Sequence, residues 1–136
     1  MFLSPKLMAH EEKLQVKVSS ETSSSIIKLS LTPPPDHHYN IDAPGNIKLQ
    51  PIQFAPSWKV TSDNRFQERV IKLDLTLTHD GTDEVKVGKL LLTISYYLCT
   101  DDFSNCFPSQ DYIIELDISA DKSAPSEQSI SHQFAL

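Results

Sequence analysis

Two cysteines, Cys99 and Cys106, lie in the run Tyr96-Tyr-Leu-Cys-Thr-Asp-Asp-Phe-Ser-Asn-Cys-Phe-Pro108 with six residues between them. Thiols so spaced can be bonded as a plain stabilising cystine, stay reduced and inert, or exchange with another thiol, and spacing alone leaves these open. If one strand ends at Cys99 and the next begins near Cys106, the pair forms the neck of a hairpin. Cross-strand neighbours there approach the roughly 5.5–6 Å Cα separation that a disulfide needs. Closing so small a loop would stabilise the fold by only about 2.5 kcal/mol through chain entropy. The nearest histidine in sequence, His79, is distant, and no CxxC or second Cys/His pair is present, so neither a metal nor a cofactor is expected.

The neighbouring residues suggest how the pair would behave. Asp101, Asp102 and Asp111 bring negative charge close to it, and no Lys or Arg lies between Lys89 and Lys122. Such surroundings disfavour a thiolate and suit a pair that is attacked rather than one that attacks. Tyr97 shares a strand face with Cys99 and could cover it, whereas Tyr96 points the other way, toward a core. Phe103 and Phe107 flank the cysteines as partner-docking or loop-anchoring residues. His37 and His38, within a proline-rich stretch, are expected to be solvent-exposed. No Ser-His-acid order, Gly-rich phosphate loop or paired-carboxylate motif supports a hydrolase or transferase.

The elements that must position the pair are strands. Period-two alternation runs through Leu14, Val16, Val18 and through Ile27, Leu29, Leu31. The serine-rich stretch Ser19-Ser-Glu-Thr-Ser-Ser-Ser25 between them predicts a β-hairpin. Four prolines between Thr32 and Gly45 predict a surface connection. Ile47, Leu49 and then Ile52, Phe54 change parity across Pro51, which predicts an edge strand broken there. Residues 55–64 read as an exposed loop carrying the one tryptophan, Trp58. The clearest strand is Ile71, Leu73, Leu75, Leu77, ended by the turn His79-Asp-Gly-Thr-Asp83. Lys89 to Cys99 is the most apolar and reads as central, with Leu90, Leu92, Ile94, Tyr96 and Leu98 inward. Tyr112, Ile114, Leu116 and Ile118 define a last strand.

About seven short strands separated by turns predict an all-β fold, an immunoglobulin-like antiparallel β-sandwich. A small closed barrel would need more glycine than the three present. The predicted organisation is a flexible segment over 1–12, a sandwich domain over 13–119 and a polar tail over 120–136. A chain of 136 residues buries enough surface to need no staples, so the cysteines are not the scaffold. The net charge of −6, without a Lys/Arg cluster, argues against nucleic acid and against an anionic membrane surface.

Tyr-Tyr-Leu-Cys, an acidic hexapeptide and then Cys-Phe-Pro before a strand resembles the cysteine hairpin of the amino-terminal domain of the thiol:disulfide interchange protein DsbD. The segment Asp36-His-His-Tyr-Asn-Ile-Asp-Ala-Pro44 resembles a stretch of related β domains at the carboxyl end of proteins that join a thioredoxin-like module to an NHL-repeat propeller. The six-residue spacer, one longer than in DsbD, matches those domains better. The resemblance spans roughly residues 14–119 and implies a redox relay. A thioredoxin-like domain, in cis or in trans, would attack Cys106 through a mixed disulfide, with Cys99 as the resolving thiol. An NHL-repeat propeller would be a further neighbour. The residues that shield the cysteines in DsbD have no counterpart here, and Trp58 or Phe66 is the cap expected from loop position. The rival expectation is a non-catalytic interaction or scaffold domain with inert cysteines. The chain as written would stay in the cytoplasm, and as a fragment of a larger targeted protein it would be periplasmic or luminal.

Overall fold

Alternating apolar residues become strands almost throughout the computed structural model, which describes residues 10–43, 45–81, 85–102 and 104–135. Among them run β1 (His10–Ser19), β2 (Ser24–Thr32), β3 (His37–Tyr39), β4 (Asn46–Ile52), β5 (Trp58–Phe66), β6 (Ile71–His79), β7 (Lys86–Thr100), β8 (Cys106–Asp121) and β9 (Glu127–Gln133). The strands form two sheets. One has the order β1-β8-β7-β3, with β4 also pairing β7, and the other has the order β5-β6-β2-β9. Their inner faces meet in one core, to which β2 contributes Ile27, Leu29 and Leu31, β6 contributes Ile71 to Leu77, and β7 and β8 contribute the inward residues expected. The fold is an all-β sandwich of immunoglobulin-like type, and two separate sheets exclude the closed barrel.

Several local expectations are overturned. The stretch 19–25 does not close a hairpin: β1 pairs in parallel with β8, while β2 sits in the other sheet between β6 and β9. Alternation reports which face of a strand is buried and is silent about which strand lies beside it. For the same reason the two parallel pairs, β1·β8 and β2·β9, were not legible in an otherwise antiparallel sandwich. The predicted polar tail over 120–136 contains β9, which covers the edge of β2, and Phe134, which is 1% exposed. Of the segment predicted to be flexible over 1–12, residues 10–12 belong to β1, and residues 1–9 lie outside the described residues.

The edge strand β4 runs through Pro51 without a shift in register, as an edge position permits. Its break comes at Gln53, whose φ of 53° turns the chain out of the extended region. The proline-rich stretch is not wholly a surface connection, because it contains β3, with all three of its residues buried against β7. The predicted loop 55–64 is mostly strand β5, and Trp58 is buried, 3% exposed, against the His79 ring at 4.3 Å.

An aromatic cluster fills one end of the sandwich and positions β3. Tyr39 meets Tyr96 edge-on at 5.1 Å, and Phe134 stacks on Tyr96 at 5.3 Å. The Tyr39 hydroxyl donates to the Leu31 carbonyl at 2.8 Å, which fixes β3 across the two sheets. Burial pushes the phenols of Tyr39 and Tyr96 far above their ordinary range, so both stay neutral.

Candidate functional site

Beyond Tyr96 the β7·β8 ladder carries a register shift and then pairs Leu98 with Phe107 and Cys99 with Cys106. The two cysteines are directly opposite, with Cα atoms 4.0 Å apart, and they are joined as a disulfide. Of the readings that spacing left open, the bonded one is realised. The two cysteines do not share one environment. Cys99 is 3% exposed within the central strand, whereas Cys106, first residue of β8, is exposed.

The loop between them is organised by one carboxylate oxygen. Asp102 Oδ1 accepts from Thr100 Oγ1 at 2.6 Å, from the Ser104 amide at 2.9 Å and from Ser104 Oγ at 2.7 Å. The Thr100 hydroxyl donates the first of these bonds. It and the two from Ser104 lower the Asp102 carboxyl to about 2. The Thr100 amide donates to the Asn105 carbonyl at 2.9 Å and closes the hairpin. Asp101 is turned away from this loop. Its amide donates to the Asp36 carbonyl, and Asp36 has a φ of 65°, a left-handed turn that Asp tolerates better than most residues.

The Asp101 side chain gathers groups from two other parts of the chain. Its Oδ1 lies 3.1 Å from His38 Nδ1 on β3 and accepts from Arg69 Nη1 at 2.9 Å, from the turn between β5 and β6. Partial desolvation pushes the Asp101 carboxyl up, but hydrogen bonds from His38 and Arg69 and their charges outweigh it and hold the carboxyl below its usual range. An ionised carboxylate only accepts, so Nδ1 of His38 carries the proton. Arg69 Nη1 also donates to the His37 carbonyl at 3.3 Å, which ties the turn to β3.

Register then places His38 opposite Cys99 and His37 opposite Thr100. Neither histidine is solvent-exposed as expected: His37 is 9% and His38 5% exposed. The fold supplies a cation missing from the local sequence, Arg69, and the acidic surroundings inferred for the cysteines are partly neutralised at Asp101.

The flanking aromatics separate. Tyr97 is 40% exposed and Phe107 38%, and the Phe107 ring lies 6.0 Å from that of His37. Phe103 lies outside the described residues. Trp58 cannot cap the disulfide. It pairs with His79 at the far end of β5, roughly 26 Å along the strand from Phe66, which is on the cysteine end. Phe66 packs half-buried against the core. Sequence reasoning missed His38 and Arg69 as neighbours of the pair. The one signal in reach was the histidine doublet just before Tyr39, but three residues are too few to show alternation.

Among the described residues no three His, Cys, Asp or Glu side chains converge on a metal site. No model of a known protein family matches this chain, and no curated protein matches it. What fold and site define together is a class: a β-sandwich carrying a hairpin disulfide with one exposed and one buried cysteine.

Proposed function

We propose that the chain is a thiol–disulfide exchange module that passes electrons through Cys99 and Cys106 to or from a thioredoxin-like domain, in the same polypeptide or a separate one. The observation that carries this reading is the asymmetry of the pair: an exposed Cys106 offered to an incoming thiolate and a Cys99 withheld from it. The partner thiolate attacks Cys106 Sγ, the Cys99–Cys106 bond breaks, and its electron pair leaves on Cys99 Sγ, which takes a proton. The partner's second thiolate then attacks its own sulfur in the mixed disulfide and releases Cys106 as a thiolate. The partner dithiol ends as a disulfide, and this pair ends reduced. Exposed Tyr97, which projects to the same side of β7 as Cys99, flanks the point of attack as a docking contact, and Phe107, opposite Leu98, is exposed beside His37 at the end of the sandwich. The resemblance to DsbD-type domains supports the same direction of attack, and the NHL-repeat propeller enters only through that resemblance.

Incubation with reduced thioredoxin and titration of the thiols released tests the reading. Reduction is expected. In Cys99→Ser, Cys106 first converted to its mixed disulfide with thionitrobenzoate should pass to a thioredoxin variant lacking its second cysteine, with release of thionitrobenzoate, whereas buried Cys99 in Cys106→Ser should not be loaded or transferred. A reduction potential well below about −300 mV in glutathione buffers, with no reduction by thioredoxin, would identify a structural cystine in a scaffold domain.

A further inference from the structure

The thiol that leaves in this exchange is nearly closed to water, and it is not alone there. Across three adjacent strands the register aligns His38 on β3, Cys99 on β7 and Cys106 on β8 in one transverse row. Residues directly opposite in antiparallel strands project to the same side of a sheet, with Cβ atoms roughly 4.5–5.5 Å apart. Tyr39 and Leu98, one step along, face the core, so His38 and Cys99 share the other face, where both are nevertheless buried. A buried histidine with an aspartate on Nδ1, set beside a thiol, is an arrangement that moves protons.

We propose that His38 is the proton-exchanging residue for Cys99, with Asp101 and Arg69 as the residues that position it. The proposal rests on the exchange reading above and assigns the fate of its proton. When a thiolate opens the disulfide at Cys106, negative charge appears on Cys99 Sγ in a site with little water to receive it. An imidazolium at His38 stabilises that charge and then gives its proton to Sγ, leaving a neutral imidazole and a neutral thiol. In the opposite direction the neutral imidazole takes the Cys99 proton, and the resulting thiolate attacks Cys106 Sγ in the mixed disulfide and expels the partner as its thiolate. Asp101 orients the ring through Nδ1, and Arg69, bonded to the same carboxylate, adds a fixed positive charge beside the thiolate that the open disulfide creates. The charged group bonded to His38 is Asp101 from the β7–β8 loop, and Arg69 from the β5–β6 turn shares that carboxylate; Asp36, His37 and Asp102 line the cavity beside Asp101, and Glu68 accepts from the Tyr39 amide through its carbonyl.

The test uses the whole chain and dithiothreitol, a small dithiol that needs no docking surface. The rate of disulfide reduction is measured between about pH 5 and pH 9 and divided by the concentration of dithiothreitol thiolate. For the unaltered chain the corrected rate should fall several-fold as pH rises through the imidazole range, because the leaving thiolate loses its cation. In His38→Gln it should be slow and flat across that range. Parallel profiles in the two proteins would overturn the proposal. Asp101→Asn keeps the imidazole and guards against a His38 variant that does not fold. Its inflection should move to lower pH, and an unmoved inflection would overturn the proposal as well. Failure of thioredoxin to reduce a chain that shows the His38 inflection overturns the exchange reading, whereas parallel profiles in a chain that thioredoxin does reduce overturn only the role of His38.

Discussion

At Asp102 a single carboxylate carries the hairpin loop beside the disulfide, and its charge is used by three donors. Its folded-state carboxyl is lowered to about 2, below the unfolded value, and that of Asp101 is lowered as well. A lowered carboxyl contributes stability that is complete above the ordinary carboxylate range and is lost as pH falls through the folded value. The loop should therefore loosen between roughly pH 4 and pH 2. Protection of the Ser104 and Asn105 amides against exchange, taken relative to the unstructured rate at each pH, should fall over that interval, and in Asp102→Asn, which keeps an acceptor but no charge, the dependence should flatten. At this scale the cysteine pair was legible, since its spacing and flanking strands implied a hairpin neck. Arg69 and His38 were not, because they stand 30 and 61 residues from Cys99 in sequence and only the ladder between β3 and β7 and the β5–β6 turn bring them in.

Strand β7 is the element on which the site depends, since it holds Cys99 and receives β3, β4 and β8. Its start is bent by a register shift between Lys86 and Gly88. Gly88 has a φ of 139°, and a Cβ there would stand 2.7 Å from Phe54 Cα, so backbone conformation and space both exclude a side chain. Gly81, with a φ of 91°, has open space around it and meets the conformational cost alone. Gly88→Ala should thus lower stability by about 1–3 kcal/mol and by more than Gly81→Ala, as read from urea midpoints at constant slope. The apolar alternation of β7 identified it as central from sequence, and its neighbours β3 and β4 were harder. A three-residue strand after three prolines carries no periodic signal, so its burial is decided by Tyr39 reaching Leu31 and Tyr96.

In the molecule as a whole the last strand matters more than its polar composition suggests. Strand β9 alternates exposed and half-buried residues and pairs in parallel with β2, and it delivers Phe134 into the aromatic cluster with Tyr96 and Tyr112. Phe134→Ala should cost about 3–5 kcal/mol in urea unfolding. Truncation after Asp121 should leave a chain without cooperative unfolding, because the edge of β2 is then bare and the cluster open. By itself the sequence determined the all-β class, the inward faces of β2, β6, β7 and β8 and the meeting of the cysteines, because alternation and hairpin closure act over neighbouring residues. Only the tertiary structure decided that β1 joins β8, that β9 covers β2, that one cysteine is buried and the other exposed, and that a histidine and an arginine stand beside an acidic loop. Those outcomes come from pairing and packing between segments far apart along the chain, where the pattern within any one segment carries no information about its partner.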